Sequence, residues 1–123
     1  MRMATSDRGE FPEFAVVVVP FPYADRLSEK RRPAVVVSNG DLAAFGVLWV
    51  AMITSAENEP WPCDVPITDL AAAGLPAPSV VRPAKIATIE PSRVVRQAGV
   101  LDEQTARRVA RRVRGLVAAM PHQ

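Results

Sequence analysis

Two runs dominated by β-branched residues, Ala15 to Val19 and Ala34 to Val37, open the ordered part of the chain. Valine packs well on a pleated sheet and loses side-chain freedom in a helix, so both runs predict strands. Pro20 and Pro22 withhold amide donors, and strand pairing is expected to stop near Phe21. A loop follows, carrying Asp25, Arg26, Ser28, Glu29, Lys30, Arg31 and Arg32, with Pro33 holding Arg32 extended at the mouth of the second strand. Asn39 and Gly40 read as a turn, Asp41 to Phe45 as a short helical or looping segment, and Val47 to Thr54 as a third buried strand that includes Trp49 in the core. The proline-rich stretch Glu57 to Pro66 predicts a loop, with a short strand over Cys63 to Ile67; Thr68 to Gly74 is compatible with one helical turn. Ser79 to Arg82 and Lys85 to Ile89 read as two strands, and Val94 to Ala98 as another.

From Asp102 the period changes. Ala106, Val109, Val113, Leu116, Val117 and Met120 recur at helical spacing, Asp102 is placed to cap the N-terminus, and Pro121 is expected to end the helix. Short strands separated by turns and followed by one amphipathic helix predict a mainly β fold: a small, curved antiparallel barrel covered by a C-terminal helix. A tail over residues 1–12 and one domain over 13–121 is the expected organisation for 123 residues.

Charge sharpens this outline. The net charge is +2, but of the 15 Lys and Arg three adjoin at Lys30, Arg31 and Arg32, and five lie between Arg107 and Arg114. The helical set reads first as a solvated face opposite the Val/Leu stripe, with contact to RNA or to an acidic partner as the alternative. No apolar run reaches the roughly 20 residues a bilayer span requires, and MRMATSDRGE lacks an apolar stretch resembling a signal peptide; no membrane and a cytoplasmic location are the expectations. One cysteine, Cys63, and one histidine, His122, do not compose a usual zinc site, so no metal or other cofactor is expected.

In order, VPFPYADRLSEKRRPAVVVSN, AMITS, SVVRPAKIATI and the closing amphipathic helix resemble the PemK/MazF family of toxins from type II toxin–antitoxin systems, over Phe14 to about Met120. The resemblance implies a homodimeric SH3-like antiparallel β-barrel that cleaves single-stranded RNA without a metal and is neutralised by a cognate antitoxin protein. It assigns Arg32 to the scissile phosphate, Ser28 to the loop beside it, Thr54 to the end of the third strand with Ser55 adjacent, and Arg82 to an arginine that some members use as general acid. Where many members have an acidic residue two positions after that arginine this chain has Ala84, and where many have Arg or Lys before the Thr/Ser-Ile pair it has Ala87.

Metal-free cleavage of RNA needs a base for the 2′-hydroxyl, an acid for the leaving 5′-oxygen and cations for the charged phosphorane. Arg32 and Arg82 supply charge in a planar fork, and Thr54 or Ser28 can orient phosphate oxygens. His122, alone near the end of the chain, rules out a two-histidine scheme; Asp25 and Lys85 are the remaining base candidates. Lys30, Arg31, Ser55 and Lys85 are further RNA-binding candidates, and Trp61, between prolines in a polar loop, is the better candidate for a base-stacking or partner surface. Two other readings stay open: a gyrase-poisoning toxin on the same barrel, and a catalytically weak RNA- or partner-binding barrel.

Overall fold

The computed structural model describes residues 11–21 and 30–118. Six strands form one antiparallel sheet: β1 (Ala15–Phe21), β2 (Lys30–Val36), β3 (Leu48–Ser55), β4 (Val65–Pro66), β5 (Ser79–Ile89) and β6 (Arg96–Val100), in the spatial order β4-β5-β3-β2-β1-β6. Among the described residues, three α-helices accompany them, α1 (Gly40–Ala44), α2 (Leu70–Ala73) and α3 (Glu103–Leu116), with a 3-10 turn over Pro91–Arg93. The sheet curls into a half-barrel with β4 and β6 at its two edges.

Strand alternation gives the sheet two buried faces. One carries Val16, Val35, Ala51, Ile53 and Val81 and is covered by Ala73 of α2 and Val109 of α3. The other face holds Ala15, Val17, Val19, Ala34, Val36, Leu48, Val50 and Met52, with Phe21 and Val94 packed at its margins.

The second strand begins earlier than its valines suggest. Lys30 already pairs with Phe21, Arg31 with Pro20 and Arg32 with Val19, so the three basic residues lie on a pleated strand and not in the connecting loop. Pro33 sits inside β2 opposite Val18 and does not stand at its mouth. The two strands expected at 79–82 and 85–89 are one, bent by a bulge. Ala51 faces Ile86 while Met52 faces Arg82, which leaves residues 83–85 without a partner on β3. Pro83, fully buried in that bulge, has no amide to contribute to a ladder.

Helix α3 starts as expected, with the Asp102 carboxylate accepting from the Thr105 amide at 3.1 Å. The same carboxylate accepts from the Thr105 hydroxyl at 2.7 Å and the Thr68 hydroxyl at 2.8 Å, tying the segment before α2 to the start of α3. Burial pushes the Asp102 carboxyl up, but the hydrogen bonds from Thr105, Thr68 and the Asp69 amide outweigh it and hold the group down at about 2. The helix stops at Leu116, ahead of Pro121, which with Met120 lies outside the described residues. Trp49, expected in the core, is 42% exposed. It lines an apolar groove with Leu42, Phe45 and Val113.

Candidate nucleic-acid cleft

The strand register decides which polar residues meet. On β3, Met52 and Thr54 share the face of this second cluster, and Arg32 joins them because it shares the parity of Ala34 and Val36 on β2. The bulge in β5 turns both Arg82 and Lys85 toward the same place. Arg32, Thr54, Arg82 and Lys85 line one cleft of about 290 Å³, together with Phe21, Met52, Asn58, Glu59 and Trp61.

Arg82 is the most constrained of these. Its side chain is 9% exposed, and its Nε and Nη2 donate to the two oxygens of Asp64 at 3.2 and 3.1 Å. Nη2 also donates to the Glu59 carbonyl at 2.9 Å, and the guanidinium lies 4.4 Å from the centre of the Trp61 ring. Such a fork, paired with a nearly buried carboxylate and stacked on an aromatic face, holds the arginine in one orientation. Nη1 is left without a protein partner among the described residues.

Asp64 therefore supplies a carboxylate beside Arg82 although Ala84 has none. Its Oδ2 also accepts from the Trp61 amide at 2.9 Å, so one side chain positions the arginine and closes the turn that presents the tryptophan. Cys63, with φ of 73°, adopts the left-handed region within that turn. Lys85 Nζ lies 5.2 Å from the Phe21 ring and 5.9 Å from the Trp61 ring, a cation steered by aromatic faces. Thr54 Oγ1 accepts from the Asn58 side-chain amide, which frees its own proton for another acceptor.

Other expected contributors stand elsewhere. Arg31 points to the opposite side of β2 from Arg32, as neighbours on a strand must, and lines a separate groove with Gly74, Leu75 and Val95. Ser55 likewise faces away from Thr54, and its hydroxyl accepts from the Glu57 amide at 3.1 Å to close a turn. Lys30 is exposed at the strand start and does not line the cleft. Ser28 and Asp25 lie outside the described residues. Among the described residues, no cluster of His, Cys, Asp or Glu is arranged to hold a metal ion.

Sequence reasoning missed Asp64, Asn58 and Glu59. The signal for Asp64 was weak, because it depends on the pairing of Val65 with Val81, which sets Asp64 opposite Arg82. Nothing local in ENEPWPCD announces that register.

Comparison with known proteins bears on the family and the fold. The profile described as PemK-like, MazF-like toxin of type II toxin–antitoxin systems matches residues 13–117. The chain belongs to that family. Among solved structures, MazF from Deinococcus radiodurans superposes with a TM-score of 0.68 at 21% identity, covering 86% of this chain and 94% of that one. The Mycobacterium tuberculosis toxin MazF-mt6 gives 0.64 at 24% identity, covering 82% and 93%. A mycobacterial endoribonuclease in complex with its cognate antitoxin gives 0.68 at 15% identity, covering 89% and 99%. No curated protein sequence matches significantly. The curled six-stranded half-barrel with its C-terminal helix is thus a MazF-like fold.

Proposed function

We propose that this PemK/MazF-like chain is an endoribonuclease toxin that cleaves single-stranded RNA, with the scissile phosphate bound between Arg32, Thr54 and Arg82. The observation that carries the reading is the convergence of two arginines, a lysine and a hydroxyl on one cleft floored by Trp61. Nη1 of Arg82 and the guanidinium of Arg32 stabilise charge on the non-bridging oxygens, and the Thr54 hydroxyl donates to one of them. The 2′-hydroxyl gives its proton to water as its oxygen attacks phosphorus, the bond to the 5′-oxygen breaks as water protonates that oxygen, and the upstream fragment keeps a 2′,3′-cyclic phosphate. Tied to Asp64, Arg82 acts through charge and position, not as a proton donor. Trp61 offers a stacking face for an unpaired base.

The same reading includes a second copy of the chain and a cognate antitoxin. Phe45 is 84% exposed and Trp49 shares its groove with Val113, whose helix face continues through the exposed Leu116. An apolar patch of this kind is suited to burial against a second copy.

The test is incubation with a long, weakly structured RNA in EDTA, followed by mapping of the ends. Discrete cuts bearing cyclic phosphate are expected. A folded Arg32→Ala protein should cleave about 100-fold more slowly or worse, roughly 3 kcal/mol of transition-state stabilisation. Undiminished cleavage would remove Arg32 from the reaction.

A further inference from the structure

A second cationic groove lies next to the cleft. Arg108, Arg111 and Arg112, exposed on α3, line a recess of about 330 Å³ with Val65 and Pro66 of β4 and with Asp64. Their spacing of three and four residues puts them on one helix face. The neighbouring Arg107 is paired with Glu103, but no ion pair engages Arg108, Arg111 or Arg112 among the described residues. Asp64 links the two places: it lines this groove and grips Arg82, which lines the cleft, and that grip neutralises the carboxylate nearest the three arginines.

We propose that this groove binds the phosphate backbone of RNA flanking the cleavage site, as an extension of the cleft over the β3–β4 loop and the β4 edge. This rests on the ribonuclease reading for which strand is bound. Three planar guanidinium groups spread over about 6 Å of helix axis match successive phosphates better than a single ion. A protein segment adding to the edge is the weaker fit, because β4 has two residues and Pro66 lacks an amide donor. The Asp64–Arg82 pair joins the groove to the cleft and favours the strand proposed for the cleft.

The experiment compares the full chain with the triple variant Arg108→Gln, Arg111→Gln, Arg112→Gln. The probes are fluorescent 2′-O-methyl oligoribonucleotides, which lack the attacking hydroxyl, in a short and a long form. The wild type should bind the long probe more tightly than the short one. For the variant, affinity for the long probe should fall about tenfold or more and the slope of log affinity against log salt should shrink by about 2, with the short probe unaffected. Arg→Lys at all three positions should keep the salt slope. Unchanged affinity and slope for the long probe would overturn the inference, and so would unchanged RNA binding accompanied by weaker binding of an antitoxin. Cleavage of natural RNA, scored separately, distinguishes the two proposals: length-dependent binding through these arginines without cleavage would sink the ribonuclease reading alone.

Discussion

Replacing Asp64 by Asn nearly preserves the volume while removing the charge and turning one acceptor oxygen into a donor. The carboxylate now accepts from Arg82 Nε, Arg82 Nη2 and the Trp61 amide, at 3.2, 3.1 and 2.9 Å, with the two side chains 11% and 9% exposed. An asparagine has one acceptor oxygen, and its amino group would face the guanidinium donor to donor. Losing one partner of a nearly buried ion pair costs about 3 to 5 kcal/mol. Arg82 keeps the Glu59 carbonyl and the Trp61 face, so the lower end applies: about 3 kcal/mol, or a Tm lower by about 10 °C for a chain of this size. Urea unfolding should show a lower midpoint at unchanged slope. Below that Tm, kcat for RNA cleavage should fall about as far as in Arg82→Gln, because the arginine is no longer aimed. The double variant Asp64→Asn, Arg82→Gln should be less destabilised than the sum of its parts. Stability of Asp64→Asn within about 0.5 kcal/mol of wild type, or strict additivity in the cycle, would refute the claim that the pair organises the cleft.

Further outcomes follow from the same contacts. Because the Asp102 carboxyl is held at about 2 against 3.8 for the free group, its contribution to stability is present above about pH 4 and is lost as pH falls from there toward 2. The group stays partly open to solvent, so about 1 to 2 kcal/mol is at stake; an acid titration of urea midpoints should show this step in the wild type and not in Asp102→Asn. Gly99→Ala would set a methyl group 2.2 Å from the Ala72 carbonyl oxygen, where α2 crosses β6. A loss of about 2 kcal/mol in chemical denaturation is expected. Cys63→Gly should relieve the left-handed conformation and be neutral to stabilising by up to about 1 kcal/mol in a thermal melt, with cleavage retained. Phe45→Asp should shift a dimer toward monomer in light scattering, through the apolar groove it shares with Trp49.

Much of the fold is legible where the signal is local. The valine runs mark β1, the end of β2 and β3, and the period of Val109, Val113 and Leu116 behind Asp102 marks α3 with its cap. Those features depend on backbone sterics and on side chains three or four residues apart, which a sequence states directly. Arg32, Thr54 and Arg82 could also be named together, from their order along a family-like chain, and the fold does bring them to one cleft.

Pairing register decided the rest. Arg31 and Arg32 look interchangeable in RRP, yet extending β2 back to Lys30 sends them to opposite faces of the sheet. Thr54 and Ser55 part for the same reason. The bulge at Pro83 joins two expected strands into one and brings Lys85 round to Arg82, while the Val65–Val81 pairing delivers Asp64 from 18 residues away in the chain. The sequence alone determined which residue types were available for phosphate chemistry and which segments would be strand or helix, since both follow from local chemistry. Only the tertiary structure decided which cations share a site and which carboxylate aims them, because strand alternation turns a single step of register into a change of face.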